Sequence, residues 1–156
     1  MGSIALLAAI SVANAFMATQ NRPPRVPVAA ADVSCDIAVI GAGPAGSVVS
    51  WLLAERGGLS VALIDPNLDK PWPNNYGVWE SEFDALDAMM PELSLKECVD
   101  HTWPRTDCFF ETDERRTTLD RPYCRVHRER LQDTLRTRSD TVGVRRIQAK
   151  VRGDAA

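Results

Sequence analysis

The run "CDIAVIGAGPAGSVVSWLLAERGGLSVALID" (Cys35–Asp65) holds an apolar strand, a glycine turn, a helix and a second apolar strand in close succession. "DIAVI" is a short β run. Gly41, Gly43 and Gly46 form G-x-G-x-x-G, with Ala42, Pro44 and Ala45 between them. Helical spacing continues through Val48, Val49, Leu52 and Leu53, and Gly57-Gly58 ends it. "LSVALID" is a second buried strand, closed by Asp65 at 19 residues past Gly46.

That order is the dinucleotide-binding pattern, and each part has a physical reason. The first glycine allows a tight turn, the second lets backbone approach a pyrophosphate, and the third lets the helix pack on the sheet. Pro44 stands where the first helical N–H has no intrahelical partner anyway. The helix N-terminus then offers N–H groups and partial positive charge to phosphates. Asp65 can accept a bond from an adenosine ribose hydroxyl, and its charge disfavours the 2′-phosphate of NADP there. A strand before, a helix after and an acid at this distance make the motif far more specific than glycines alone. These features admit FAD and NAD alike. The run "VIGAGPAG" resembles the start of FAD-containing proteins more than that of NAD dehydrogenases.

The chain around this unit has 156 residues, enough for about one domain. A net charge of −3 and a pI near 5.4 argue against a nucleic-acid binder. Cys35, Cys98, Cys108 and Cys124 show no C-x-x-C spacing and no paired His ligands, so no metal is expected and reduced thiols are.

Residues 1–31 differ from the rest: they hold Arg22 and Arg25 and no acid, leaving 21 acids against 16 of the 18 bases downstream. "IALLAAISV" has the length of a signal-peptide core and is too short to span a bilayer, which takes about 20 residues. "ANA" (Ala13–Ala15) is a small-x-small cleavage form, followed by Phe16 and a Pro-rich, acid-free stretch that does not fold alone. The arrangement resembles the bipartite plastid presequence of algae with secondary plastids, where Phe follows the cleavage site. The expected division is a signal peptide at 1–15, a transit-like disordered segment at 16–31 and a partial FAD-binding domain at 32–156.

Beyond Asp65 the chain inserts "KPWPNNYGVW" (70–79), too aromatic for a solvated loop and too broken by Pro and Gly for a helix or strand. Phe83, Leu86, Met89 and Met90 then mark a short amphipathic helix ended by Pro91. A hairpin is expected from Cys108–Glu111 and Arg115–Leu119, turning near Asp113. "RVHRERLQDTLRTR" reads as a helix with Val126, Leu131 and Leu135 inward, and "TVGVRRIQAKV" as a third strand.

Here the motifs point to a family. "IDPN", "WPNNYGVW" with "EFDALD", "LDRPYCRVHRERL" and "QAKV" together resemble the N-terminal part of plant- and cyanobacterial-type lycopene cyclases, over about Cys35–Val151. Two positions depart from the family: Cys124 stands where Gly is usual, straining any turn that needs φ > 0, and His127 stands where Asn is usual. The resemblance implies an α/β fold: an incomplete Rossmann-like FAD-binding domain of the glutathione-reductase/aromatic-hydroxylase type, with a β-hairpin insertion. It also implies a plastid enzyme bound to the membrane surface, acting on lycopene or a related linear carotene. In that group the ends of lycopene close into β-ionone-type rings by proton-initiated, non-redox cyclisation. Reduced FAD is required, with NADPH as ultimate electron source.

By the same resemblance Gly41–Gly46, Asp65 and Arg128 are the expected cofactor contacts. Arg128 matches the helix-start arginine that meets the FAD phosphate or ribose in related hydroxylases. Trp72, Asn74, Asn75, Tyr76, Gly77 and Trp79 are second-choice cofactor or substrate contacts, with Arg121 and Arg125. Without the resemblance, burial is the better reading of the aromatics and surface charge that of the arginines. The catalytic residue is unknown; the family's acidic group is expected beyond the chain end, so this fragment alone is expected to be inactive. The alternatives are a fragment of an FAD-dependent hydroxylase or prenyl reductase, which has no need of "WPNNYGVW", and a truncated, non-catalytic dinucleotide-binding module.

Overall fold

The computed structural model describes residues 33–110 and 116–151. The expected signal peptide, the transit-like segment and the hairpin turn near Asp113 lie outside the described residues. The described residues divide into two compact units: those up to Asp69 with those from Ser139, and those within Lys70–Arg138.

The first unit is built on a parallel sheet of order β1-β2-β8, from β1 (Ile37–Ile40), β2 (Val61–Ile64) and β8 (Arg145–Ile147). Ile37 pairs with Val61 and Ile40 with Ile64, while Ala62 pairs with Arg145. Central β2 is buried at every residue, matching the unbroken apolar run of a strand covered on both faces. Asp36 and Ser60 tie the entrances of β1 and β2 together: the Ser60 amide and hydroxyl both donate to Asp36 Oδ2, at 3.0 and 2.8 Å. Helix α1 (Pro44–Glu55) crosses from β1 to β2, and Val39, Leu53, Leu59, Val61, Leu63 and Val144 form the core.

The third strand is shorter than the sequence indicates. The turn before it closes as a Schellman motif, with Gly143 at φ 76°, Val144 N–H donating to Ser139 O and Gly143 N–H to Asp140 O. Residues 141–144 are therefore helix end and turn, and only Arg145–Ile147 reaches the sheet.

The second unit holds an antiparallel sheet of order β3-β7-β4, from β3 (Tyr76–Trp79), β4 (Val99–Trp103) and β7 (Tyr123–Val126). Helix α2 (Glu80–Met89) follows β3, and 3₁₀ turns at Pro91–Leu93 and Leu95–Cys98 lead into β4. Strands β5 (Thr106–Phe109) and β6 (Arg116–Leu119) pair antiparallel as expected, although the first begins two residues before the expected Cys108. Helix α3 runs Arg128–Thr141, with its residues up to Arg138 in this unit.

Four expectations are corrected here. Tyr76–Trp79 is a strand: once past the prolines, "YGVW" is β-forming and β7 supplies its partner. Val126 is buried as expected, but on β7, because the helix begins only at Arg128. Met89 is exposed, so Phe83 and Met90 carry the burial of that segment. Cys124 is no turn residue: it lies within β7 between Val78 and Thr102, buried, and needs no positive φ. Among the described residues Ser94 is the one non-glycine with positive φ.

Candidate functional site

In the first unit, Gly41 follows β1 with φ 99°, a left-handed conformation that turns the chain at once into α1. Its amide donates to Ile64 O at 2.8 Å, anchoring the turn to β2. A Cβ on Gly46 would run into Gly41 O, so the first turn of the helix packs directly on the glycine turn. At Gly43 no atom of the described residues lies within 4 Å of the corresponding position. Gly43 is also the N-cap and provides no side-chain cap. The helix start thus presents backbone amides without a side-chain cap, where its partial positive charge is concentrated.

Asp65 closes this turn from the other strand. Its Oδ2 accepts from Ala42 N at 2.9 Å and its Oδ1 from Asn67 N at 2.7 Å. An ionised carboxylate has about four acceptor sites, so two backbone bonds fix its orientation and leave capacity for ligand hydroxyls. An open glycine turn, an uncapped helix start and an oriented acid fit the pyrophosphate and ribose of a dinucleotide.

In the second unit, strand alternation sorts the aromatic residues of the "WPNNYGVW" run. Trp79, Tyr123 and Trp103 stand in one row across the sheet, on the face that also bears Gly77, Arg125 and His101. Trp79 meets Tyr123 edge to face at 5.1 Å, His101 meets Trp103 at 4.5 Å, and the Arg121 guanidinium lies over Trp79 at 4.5 Å. Any Cβ on Gly77 would collide with the Tyr123 ring, so that ring occupies the space the glycine leaves. Tyr76 belongs to the opposite face with buried Cys124 and Val126, and buried Trp72 packs edge to face on it at 5.6 Å.

The arginines have protein partners. Arg121 pairs with Glu82 at 3.1 Å, and Arg125 Nε donates to Asp100 Oδ1 at 2.8 Å. That hydrogen bond holds the Asp100 carboxyl below the usual carboxylate range. Arg128 opens α3 and donates from Nη1 to Pro73 O at 3.3 Å. Asn74 and Asn75 are exposed.

Sequence reasoning missed Tyr123, Trp103 and His101, whose alignment with Trp79 depends on strand pairing. It also missed Gln132. This side chain accepts from Trp72 N at 3.2 Å and donates to Lys70 O at 2.9 Å. Among the described residues no group of His, Cys, Asp and Glu is arranged to hold a metal. No described helix is long and apolar enough to cross a membrane.

The sequence profile described as lycopene cyclase protein matches residues 36–154. The chain belongs to the lycopene cyclase family. Among curated relatives it is 43% identical over 119 residues to the lycopene beta cyclase of Capsicum annuum, across 76% of this chain and 22% of that protein. It is 44% identical over 116 residues to that of an Oncidium hybrid cultivar, across 74% and 23%. A capsanthin/capsorubin synthase of Citrus sinensis is 40% identical, across 74% and 22%. This lycopene cyclase family chain therefore spans less than a quarter of the relatives it matches.

Solved structures agree on the fold. A geranylgeranyl bacteriochlorophyll reductase-like protein of Thermoplasma acidophilum superposes with TM-score 0.53 at 16% identity, over 72% of this chain and 29% of that one. A variant 2-methyl-3-hydroxypyridine-5-carboxylic acid oxygenase gives 0.51 at 17%, over 70% and 30%. The flavin-dependent brominase Bmp2 gives 0.50 at 21%, over 73% and 29%. The family chain thus carries an incomplete Rossmann-like domain of the FAD-binding type.

Proposed function

We propose that this chain is the N-terminal FAD-binding part of a plastid lycopene cyclase. The observation that carries the reading is the Ala42–Asp65 hydrogen bond, which closes an open glycine turn over an uncapped helix start in a chain of this family. Gly41–Gly46 would hold the FAD pyrophosphate through backbone amides, Asp65 the adenosine ribose, and Arg128 an FAD phosphate or ribose oxygen. FAD in its reduced form, with NADPH as ultimate electron source, supplies the reduced flavin that the cyclisation requires.

The substrate would be lycopene or a related linear carotene. A proton adds to a terminal double bond, the carbocation closes to a six-membered ring, and a proton leaves, so no net redox change occurs. Such a cation needs a dry apolar surface with π faces. In the row of Trp79, Tyr123 and Trp103, Trp103 is the exposed member that offers such a face, Arg121 lying over Trp79, while Trp72 and Tyr76 serve packing. No residue of this chain is assigned as the proton donor, and the chain alone is proposed to be inactive. The chloroplastic names of the relatives support a plastid address. The signal-plus-transit reading of residues 1–31 extends it to an alga with secondary plastids, and a carotene substrate to the membrane surface.

The test is titration of the purified 156-residue chain with FAD, followed by flavin fluorescence. Saturable quenching is expected, with NADP binding far more weakly. A chain that leaves flavin fluorescence unchanged would overturn the cofactor reading. Conversion of lycopene to a cyclic product by the chain alone would overturn the assignment of catalysis to residues outside it.

A further inference from the structure

We infer that Gln132 is a positioning residue, which fixes the Lys70–Pro73 segment and through Pro73 sets the guanidinium of Arg128. The inference rests on the reading of Arg128 as an FAD contact. In the sequence Lys70-Pro71-Trp72-Pro73, the prolines carry no N–H, and each pushes the residue before it into an extended conformation. The Lys70 carbonyl and the Trp72 amide then point to one side, two residues apart, as donor and acceptor do along a strand edge. Gln132 answers both, Oε1 to Trp72 N–H at 3.2 Å and Nε2 to Lys70 O at 2.9 Å.

Gln132 and Arg128 are four residues apart, so they share one face of α3. The next carbonyl along the clamped segment, Pro73 O, accepts from Arg128 Nη1 at 3.3 Å. A guanidinium has five N–H donors in a rigid fork. Spending one on a fixed carbonyl orients the others for an anionic group, provided the carbonyl itself stays put. Trp72 is buried and packs on Tyr76. The segment is thus held by the Gln132 side-chain amide and by an aromatic contact.

Gln132→Met removes both hydrogen bonds while keeping length, volume and helix propensity. In the full chain it is expected to weaken FAD about tenfold, as loss of one coupled pair would. Arg128→Met should weaken it at least as much, and the double variant no more than Arg128→Met alone. Amide exchange at Trp72 should accelerate in Gln132→Met, with the α3 amides still protected. Gln132→Glu, which retains an acceptor, should restore Trp72 protection. Unchanged exchange at Trp72 overturns the clamp. Accelerated exchange with wild-type FAD affinity overturns the positioning role, and so does a double variant whose losses add. A wild-type chain that binds no FAD overturns the underlying cofactor reading and the positioning role with it, and Trp72 exchange then still decides the clamp by itself.

Discussion

The Asp65 carboxylate accepts the amide of Ala42 at 2.9 Å, joining the C-terminal end of β2 to the turn that follows β1. Its second oxygen holds Asn67 N at 2.7 Å. The acid read from the sequence as a ribose contact is therefore also a brace for the glycine turn. Asp65→Ala should destabilise the chain by about 1–3 kcal/mol, because two backbone donors lose their acceptor. It should also weaken FAD by roughly tenfold to a hundredfold, the range for a charge-assisted hydrogen bond. Denaturant unfolding and FAD titration separate the two effects. Wild-type affinity in a folded Asp65→Ala chain would remove Asp65 from the site.

Gly77 is a strand residue whose missing side chain is replaced by the ring of Tyr123. Gly77→Ala should cost about 1–3 kcal/mol, since the ring must leave a packed position against Trp79. Tyr123→Ala should cost a similar amount by loss of burial, yet the double variant should lose less than the two together. Urea midpoints of the four chains test this. Strict additivity would show that the ring and the glycine do not share the space.

His127 explains one of the two family departures. Its carbonyl accepts from Leu131 N at 3.0 Å and its Nδ1 from Arg130 N at 3.2 Å, which makes it the N-cap of α3. Asn, the usual family residue, caps with its side-chain oxygen in the same way. His127→Asn should therefore leave stability unchanged within about 0.5 kcal/mol, and His127→Ala should cost about 1 kcal/mol. Thermal unfolding distinguishes them. A His127→Asn chain as unstable as His127→Ala would show that the imidazole acts through packing instead.

What could be read in advance follows from sequence separation. Gly41, Gly46 and Asp65 were legible because one βαβ unit brings its parts together within about 30 residues, each with its own local signature. Leu131 and Leu135 were legible by helical period, and both are buried. Tyr76–Trp79 was not, because Pro71, Pro73 and Gly77 argue locally against a strand. The partner that overrides them, Tyr123–Val126, is remote in the chain. The same distance hid the row of Trp79, Tyr123 and Trp103, and made Cys124 resemble a turn. Gln132 belongs to no motif; only the fold reveals that a mid-helix amide answers a proline-flanked N–H.

The pair Arg125–Asp100 sets an acid limit on the second unit. The Arg125 guanidinium, donating at 2.8 Å, lowers the Asp100 pKa below its usual value. A carboxylate with a lower pKa folded than unfolded binds fewer protons in the native state. Its contribution is fully present above the unfolded value of about 3.9 and is lost as pH falls through the lower folded value. The pair is exposed, so the contribution is small and screened by salt. Asp100→Asn should thus lower the urea midpoint slightly at neutral pH and low ionic strength. The gap from wild type should close below about pH 3.9, the unfolded carboxylate value. Added salt at neutral pH should narrow the same gap. A gap that persists unchanged into strong acid would mean that Asp100 stabilises β4 as a hydrogen-bonding side chain and not through its charge.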